Sequence, residues 1–187
     1  MRLIILILFL SISNAYAICE QSMSSSKIVV AGGSITEIVY FLGMEDKLVG
    51  VDITSNFPKE AKKLKSIGYL RNLSIEGILS LSPGLVLAEE DIGPPIIVNQ
   101  LRKTSIDLRI IKEKNNLNGI HNKIVCISKI LNTSLDENED YVELQKKLYR
   151  VRNLKKINSK KIKKILLILM MRGSSPVVAG KNTSGQG

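Results

Sequence analysis

The side chains that first invite chemistry are Tyr69 and Arg71, two positions apart in Ile67-Gly68-Tyr69-Leu70-Arg71-Asn72. A phenol titrates near pH 10, and a guanidinium close by favours its anion. Taken alone, the pair reads as a surface contact, cation–π or solvated. Glu89, Glu90 and Asp91 could form an acid pair, but no nucleophile or base accompanies them, and the chain does not read as an enzyme. His121 is the one histidine, and its amphipathic surroundings read as a surface or helix-end position rather than a metal site. With Cys19 and Cys126 as the two cysteines, the chain has too few ligands for a zinc site built from His and Cys. Gly32-Gly33-Ser34 follows a strand, yet both Gly-x-Gly-x-x-Gly and Gly-x-x-x-x-Gly-Lys-[Ser/Thr] are absent. A tight turn and a helix cap account for it.

The elements that must position these residues begin after a leader. Arg2, the apolar run Leu3 to Leu10 and Ala15-Tyr16-Ala17 have the form of a secretory signal, cleaved after Ala17. Cys19 raises lipidation, but Ile18 before it is not small, which argues against it. Export makes a Cys19–Cys126 disulfide permissible. Nothing in the sequence fixes their distance, and the plain alternative is one terminal thiol and one buried in a helix. No apolar run reaches the roughly 18 residues of a membrane span.

Composition is globular: 187 residues, 44% hydrophobic and 24% charged, with a formal charge of +10. That length allows one domain, or one and a part. Strands are predicted at 27–31, 48–51, 85–88 and 108–111. Helices are predicted at 34–43, with a Ser34…Glu37 capping box, and at 59–64, 74–81, 96–103 and 118–131. Residues 67–72 lack periodicity and read as a loop. Alternation of this kind gives βαβ units and a mostly parallel sheet.

Residues 136–158 hold neither Gly nor Pro, and Tyr141, Leu144, Leu148, Val151 and Leu154 recur at helical spacing. That predicts one long amphipathic helix. From Lys146 to Lys164 there are ten Lys and Arg and no acid. Little aromatic residue is interleaved and the chain is exported, so a solvated helix face fits better than nucleic-acid binding. A buried strand is predicted at 164–170 and a loop at 172–176. A lone parallel strand there either joins the first sheet or opens a second domain. The second is favoured, because about 20 residues cannot form a core alone.

Several segments resemble a known family. Val29-Val-Ala-Gly-Gly-Ser-Ile-Thr-Glu-Ile-Val-Tyr-Phe-Leu-Gly43 and Leu48-Val-Gly-Val-Asp52 look like the opening of periplasmic binding proteins that feed iron-complex and corrinoid ABC importers. Ile67-Gly-Tyr-Leu-Arg71, Ser74-Ile-Glu-Gly-Ile-Leu-Ser-Leu-Ser-Pro83 and Leu85-Val-Leu-Ala-Glu-Glu-Asp-Ile-Gly-Pro-Pro95 resemble one branch, the haemin-binding proteins of haem importers. Leu167-Ile-Leu-Met-Met-Arg-Gly-Ser-Ser-Pro-Val-Val-Ala-Gly180 resembles the start of that branch's second lobe.

The resemblance implies an α/β bilobal fold: Rossmann-like parallel-sheet lobes joined by a long helix, with ligand in the cleft. On this reading 1–17 is the signal peptide, 27–132 the first lobe, 133–160 the connecting helix and 161–187 an incomplete second lobe. It implies a periplasmic monomer that carries ferric haem (hemin) to the permease subunits of an ABC importer. It would meet the inner membrane only through them and bind no nucleic acid. Tyr69 becomes the axial ligand to haem iron, where a hard phenolate oxygen suits hard Fe(III). Arg71 then serves the phenolate or a haem propionate. Arg172 would reach a propionate from the second lobe, and Glu76 would pair with importer arginines. The alternatives are a siderophore or corrinoid carrier of the same fold, and a secreted basic fragment without a ligand.

Overall fold

The structure, a computed structural model, describes residues 19–112, 114–157 and 168–178. The predicted signal sequence lies outside them. Ile28–Ala31 (β1) is apolar and fully buried on both faces, which is why it reads as a continuous run rather than an alternation. It pairs in parallel with Leu48–Val51 (β2) on one side and Leu85–Glu89 (β6) on the other. Lys65–Ser66 (β3) and Asp107–Ile111 (β7) complete a parallel sheet of order β3-β2-β1-β6-β7. The predicted α/β lobe with a parallel sheet is therefore observed.

Each face of the sheet carries its own core. Ile28, Val30, Leu85 and Leu87 point to one side, against Gly33–Phe41 (α1) and Leu117–Leu131 (α4). Val29, Ala31, Val86 and Ala88 point to the other, against Ile75–Leu79 (α2) and Pro95–Leu101 (α3). Full burial of one such Val, Ile or Leu stabilises by about 1.5–3 kcal/mol, so these two central strands dominate the core. The basic segment predicted as a helix at 59–64 is a 3₁₀ turn, Lys59–Lys63.

Two further local expectations are corrected. The capping box at Ser34 does not form: Gly32 is the N-cap of α1 without a side-chain cap bond, because the Ser34 hydroxyl donates to Glu89 instead. Residues 67–72 are not a loop but a tight antiparallel hairpin, Gly68–Tyr69 (β4) paired with Asn72–Leu73 (β5). Strands of two residues leave no periodicity to read. Ser74, by contrast, caps α2 by accepting from the Gly77 amide at 3.1 Å. Asn116 caps α4 by accepting from the Gly119 amide at 2.9 Å.

The long helix is present as Glu139–Ile157 (α5). Near its start Tyr141 is buried and Leu144 half-buried against the lobe's core, whereas Leu154 is 55% exposed. Tyr141 also holds His121, with its hydroxyl 3.2 Å from Nδ1. No described helix is long and apolar enough to cross a membrane. The strand expected at 164–170 is Ile168–Arg172 (β8), and 164–167 lie outside the described residues. β8 does not stand alone: the segment expected as a loop supplies Ser175–Val178 (β9), its antiparallel partner. Ile168, expected to be buried, is exposed.

Cys19 and Cys126 form a disulfide that pins the start of the described chain to α4. The Ser22 amide adds a bond to the Ile130 carbonyl at 2.9 Å.

Candidate functional site

Ligands of open α/β sheets bind beyond the C-terminal ends of the strands, near the point where the strand order reverses. Here that point lies between β1 and β6. Its crevice is filled from within. Ser34 Oγ donates to Glu89 Oε1 at 2.7 Å, and the Lys123 ammonium donates to Ser34 Oγ and lies 3.6 Å from the same carboxylate oxygen. The Lys123 side chain is 3% exposed. Glu89 thus places the protein's own anion at the N-terminus of α1, where the helix dipole and a buried cation both favour it. That accounts for Gly32-Gly33-Ser34 without a nucleotide.

Gly32 sits at φ +137°, and a Cβ there would come within 2.5 Å of Glu89 Cγ. Gly32→Ala is therefore expected to cost about 2 kcal/mol through left-handed strain, with more from displacing Glu89. Urea denaturation of the two proteins measures it, and an unchanged midpoint would contradict the packing described.

The β4–β5 hairpin lies beside this crevice. Ile67, Leu70 and Leu73 are buried in the core that faces α2 and α3, and Tyr69 and Arg71 between them face outward. Gly68, the first residue of β4, sits at φ +96°, where glycine is favoured. Backbone bonds clamp the hairpin from both sides. The Ile53 amide donates to Gly68 O, and Ile67 donates to Val51 O, tying it to the loop after β2. Leu73 donates to Gly93 O, and Gly93 donates to Leu70 O, tying it to the loop after β6. The two outward side chains are thus carried on fixed backbone at the binding edge of the sheet.

Tyr69 is 40% exposed. Arg71 Nη1 donates to its hydroxyl oxygen at 3.2 Å. The rest of the guanidinium is held by Asp91: Nε donates to Oδ2 at 2.9 Å and Nη2 to the same oxygen at 2.5 Å. Hydrogen bonding and charge from Asp91, with a smaller contribution from Tyr69, hold Arg71 protonated more firmly than usual. Exposed apolar side chains stand in the segments bonded to the hairpin: Ile53 and Phe57 after β2, and Ile96 in α3. The arrangement is a phenol oxygen with a cation fixed on it, carried on an exposed side chain.

Tyr69 and Arg71 are therefore brought together as the sequence suggested. Glu76 follows the hairpin in the first turn of α2 and is exposed. Its carboxyl is held below the usual range, first by its own backbone amide and then by Ser74, whose hydroxyl donates to Oε2 at 2.8 Å. Arg172 is the last residue of β8, and its side chain lies outside what is described.

Two participants escaped the sequence reading. In the sequence Asp91 stands in an acidic run and in the Leu85–Pro95 segment of the resemblance, but nothing there assigns it a role, because its tie to Arg71 spans 20 positions. Lys123 carries a signal in the sequence: it stands four and seven residues before Ile127 and Ile130, on the buried face of α4. A lysine there requires a buried partner.

Comparison with known proteins places the chain. A family described as Periplasmic binding protein matches residues 28–186. An ABC transporter substrate-binding lipoprotein of Bacillus subtilis (strain 168), YvrC, is 34% identical over 105 residues, covering 55% of this chain and 33% of the relative. A vitamin B12-binding protein of Yersinia pestis (strain Pestoides F) is 32% identical over 87 residues, 46% of this chain and 31% of the relative. The crystal structure of a periplasmic heme binding protein from Pseudomonas aeruginosa superposes with a TM-score of 0.75 at 32% identity, covering 86% of this chain and 58% of that one. The chain thus spans about a third of the length of these curated relatives. With its parallel sheet, its clamped binding-edge hairpin and a family match over most of its length, the chain belongs to the periplasmic binding protein family.

Proposed function

We propose that this chain is the substrate-binding component of an ABC importer and that its ligand is ferric haem, taken up in the periplasm and passed to the membrane permease. The observation that carries this reading is the Tyr69 phenol oxygen, exposed on a clamped hairpin with Arg71 Nη1 at 3.2 Å. A guanidinium in that position can donate to the oxygen of an iron-bound phenolate, a hard anionic ligand suited to Fe(III). The likeness to the Pseudomonas aeruginosa heme binding protein supports the same ligand. Ile53, Phe57 and Ile96 would offer apolar contact to the porphyrin. One axial ligand at the mouth of a cleft also suits release to a partner.

In this reading 1–17 is the export signal, 27–132 the first lobe, 133–160 the connecting helix and 161–187 the beginning of the second lobe. Arg172 would meet a haem propionate from that lobe. Glu76, ionised and exposed beside the hairpin, would orient docking on permease arginines.

The vitamin B12-binding relatives favour a second reading, a corrinoid ligand in the same cleft. Titrating the protein with ferric haemin and with cyanocobalamin in parallel separates the two. Saturable haemin binding that excess cobalamin does not displace is expected. Tight cobalamin binding without saturable haemin binding would overturn the haem reading and leave the family assignment intact.

A further inference from the structure

We infer that Asp91 is a positioning residue of the ligand site: it turns the Arg71 guanidinium so that Nη1 faces the Tyr69 oxygen. This rests on the reading of Tyr69 as the iron ligand. An arginine side chain that is 62% exposed has many rotamers open to it in water. Asp91 removes most of that freedom. A single carboxylate oxygen accepts from both Nε and Nη2, at 2.9 and 2.5 Å, which fixes the plane and direction of the guanidinium. The group left over is Nη1, and it points at the phenol at 3.2 Å.

Asp91 is itself held by the fold. It lies in the loop between β6 and α3, two residues before Gly93, whose amide and carbonyl bond the hairpin at Leu70 and Leu73. Loop and hairpin therefore move as one piece, and the Asp91–Arg71–Tyr69 relay bridges them. The carboxylate also occupies the Nε and Nη2 edge that a ligand carboxylate would otherwise use for a bidentate pair. Arg71 is accordingly assigned to the iron-binding oxygen rather than to a haem propionate.

The test is a double-mutant cycle on the whole protein with ferric haemin, read by absorption. A hydrogen bond draws electron density from the phenolate and raises the energy of its charge transfer to iron. Asp91→Ala is expected to weaken binding on the order of tenfold, the scale of a group that orients a metal ligand, and to move the charge-transfer band to longer wavelength. Arg71→Leu is expected to move it the same way. In the Arg71→Leu background, Asp91→Ala should add neither a further shift nor a further loss. An unmoved band in Asp91→Ala, or equal losses in the two backgrounds, would overturn the positioning role. Tyr69→Phe in the same series separates this from failure of the underlying reading: a band that survives it shows that Tyr69 is not the ligand at all. All three side chains are partly or largely exposed, and circular dichroism confirms that each variant is folded.

Discussion

Replacing Tyr69 with phenylalanine is expected to abolish the phenolate-to-iron charge-transfer band and to weaken ferric haemin binding by on the order of a hundredfold, about 2.7 kcal/mol. The substitution removes one oxygen and keeps the ring, so apolar contact with a porphyrin is retained. What disappears is the phenol oxygen that the hairpin presents outward, the acceptor of the Arg71 Nη1 bond. The fold should not notice. Tyr69 faces solvent, whereas Ile67, Leu70 and Leu73 carry the hairpin's burial and backbone amides carry its anchoring. A variant with wild-type circular dichroism and wild-type haemin affinity would remove Tyr69 from the site. A variant that loses affinity only a few-fold and keeps the band would point to another ligand.

Removing the Cys19–Cys126 cross-link is expected to cost the fold about 4–5 kcal/mol, the chain-entropy value for a closed loop of ~100 residues. The cysteines are 107 positions apart, so the bond restrains most of the unfolded first lobe. Natural domains have roughly 5–15 kcal/mol in all, and a loss of this size would leave the protein near the margin. Cys19→Ala is the cleaner variant, because it leaves the buried Cys126 thiol in place as a small apolar group. Its urea midpoint should fall well below that of the oxidised wild type and coincide with that of the wild type under reductant. An unchanged midpoint would mean that the cross-link forms without restraining the unfolded chain.

How much of this was legible depends on the range of each interaction. The Ile28–Ala31 strand was readable because burial on both faces writes a continuous apolar run. The start of α2 was readable because the Ser74 cap bond spans three residues. The hairpin at Gly68–Leu73 was not, since two-residue strands have no period and are defined by bonds to loops some 15 to 25 positions away. Ser34 misled for a related reason. Its spacing to Glu37 fits a local cap, but a carboxylate 55 residues away won its hydroxyl. The site divides in the same way. Tyr69 and Arg71 were legible through their spacing and the segments around them. Asp91, which completes their geometry, becomes visible only when the loop after β6 folds against the hairpin. Nothing local in the sequence pairs Cys19 with Cys126, 107 positions apart, and the fold of α4 against the start of the described chain brings them together.

The most direct measurement is a crystal structure of the protein grown with ferric haemin, with anomalous data collected at the iron edge. The peak is expected within bonding distance of Tyr69 Oη, with Arg71 still bridging that oxygen and Asp91. An iron peak bonded to another side chain, or a haem lying away from the β4–β5 hairpin, would contradict the account.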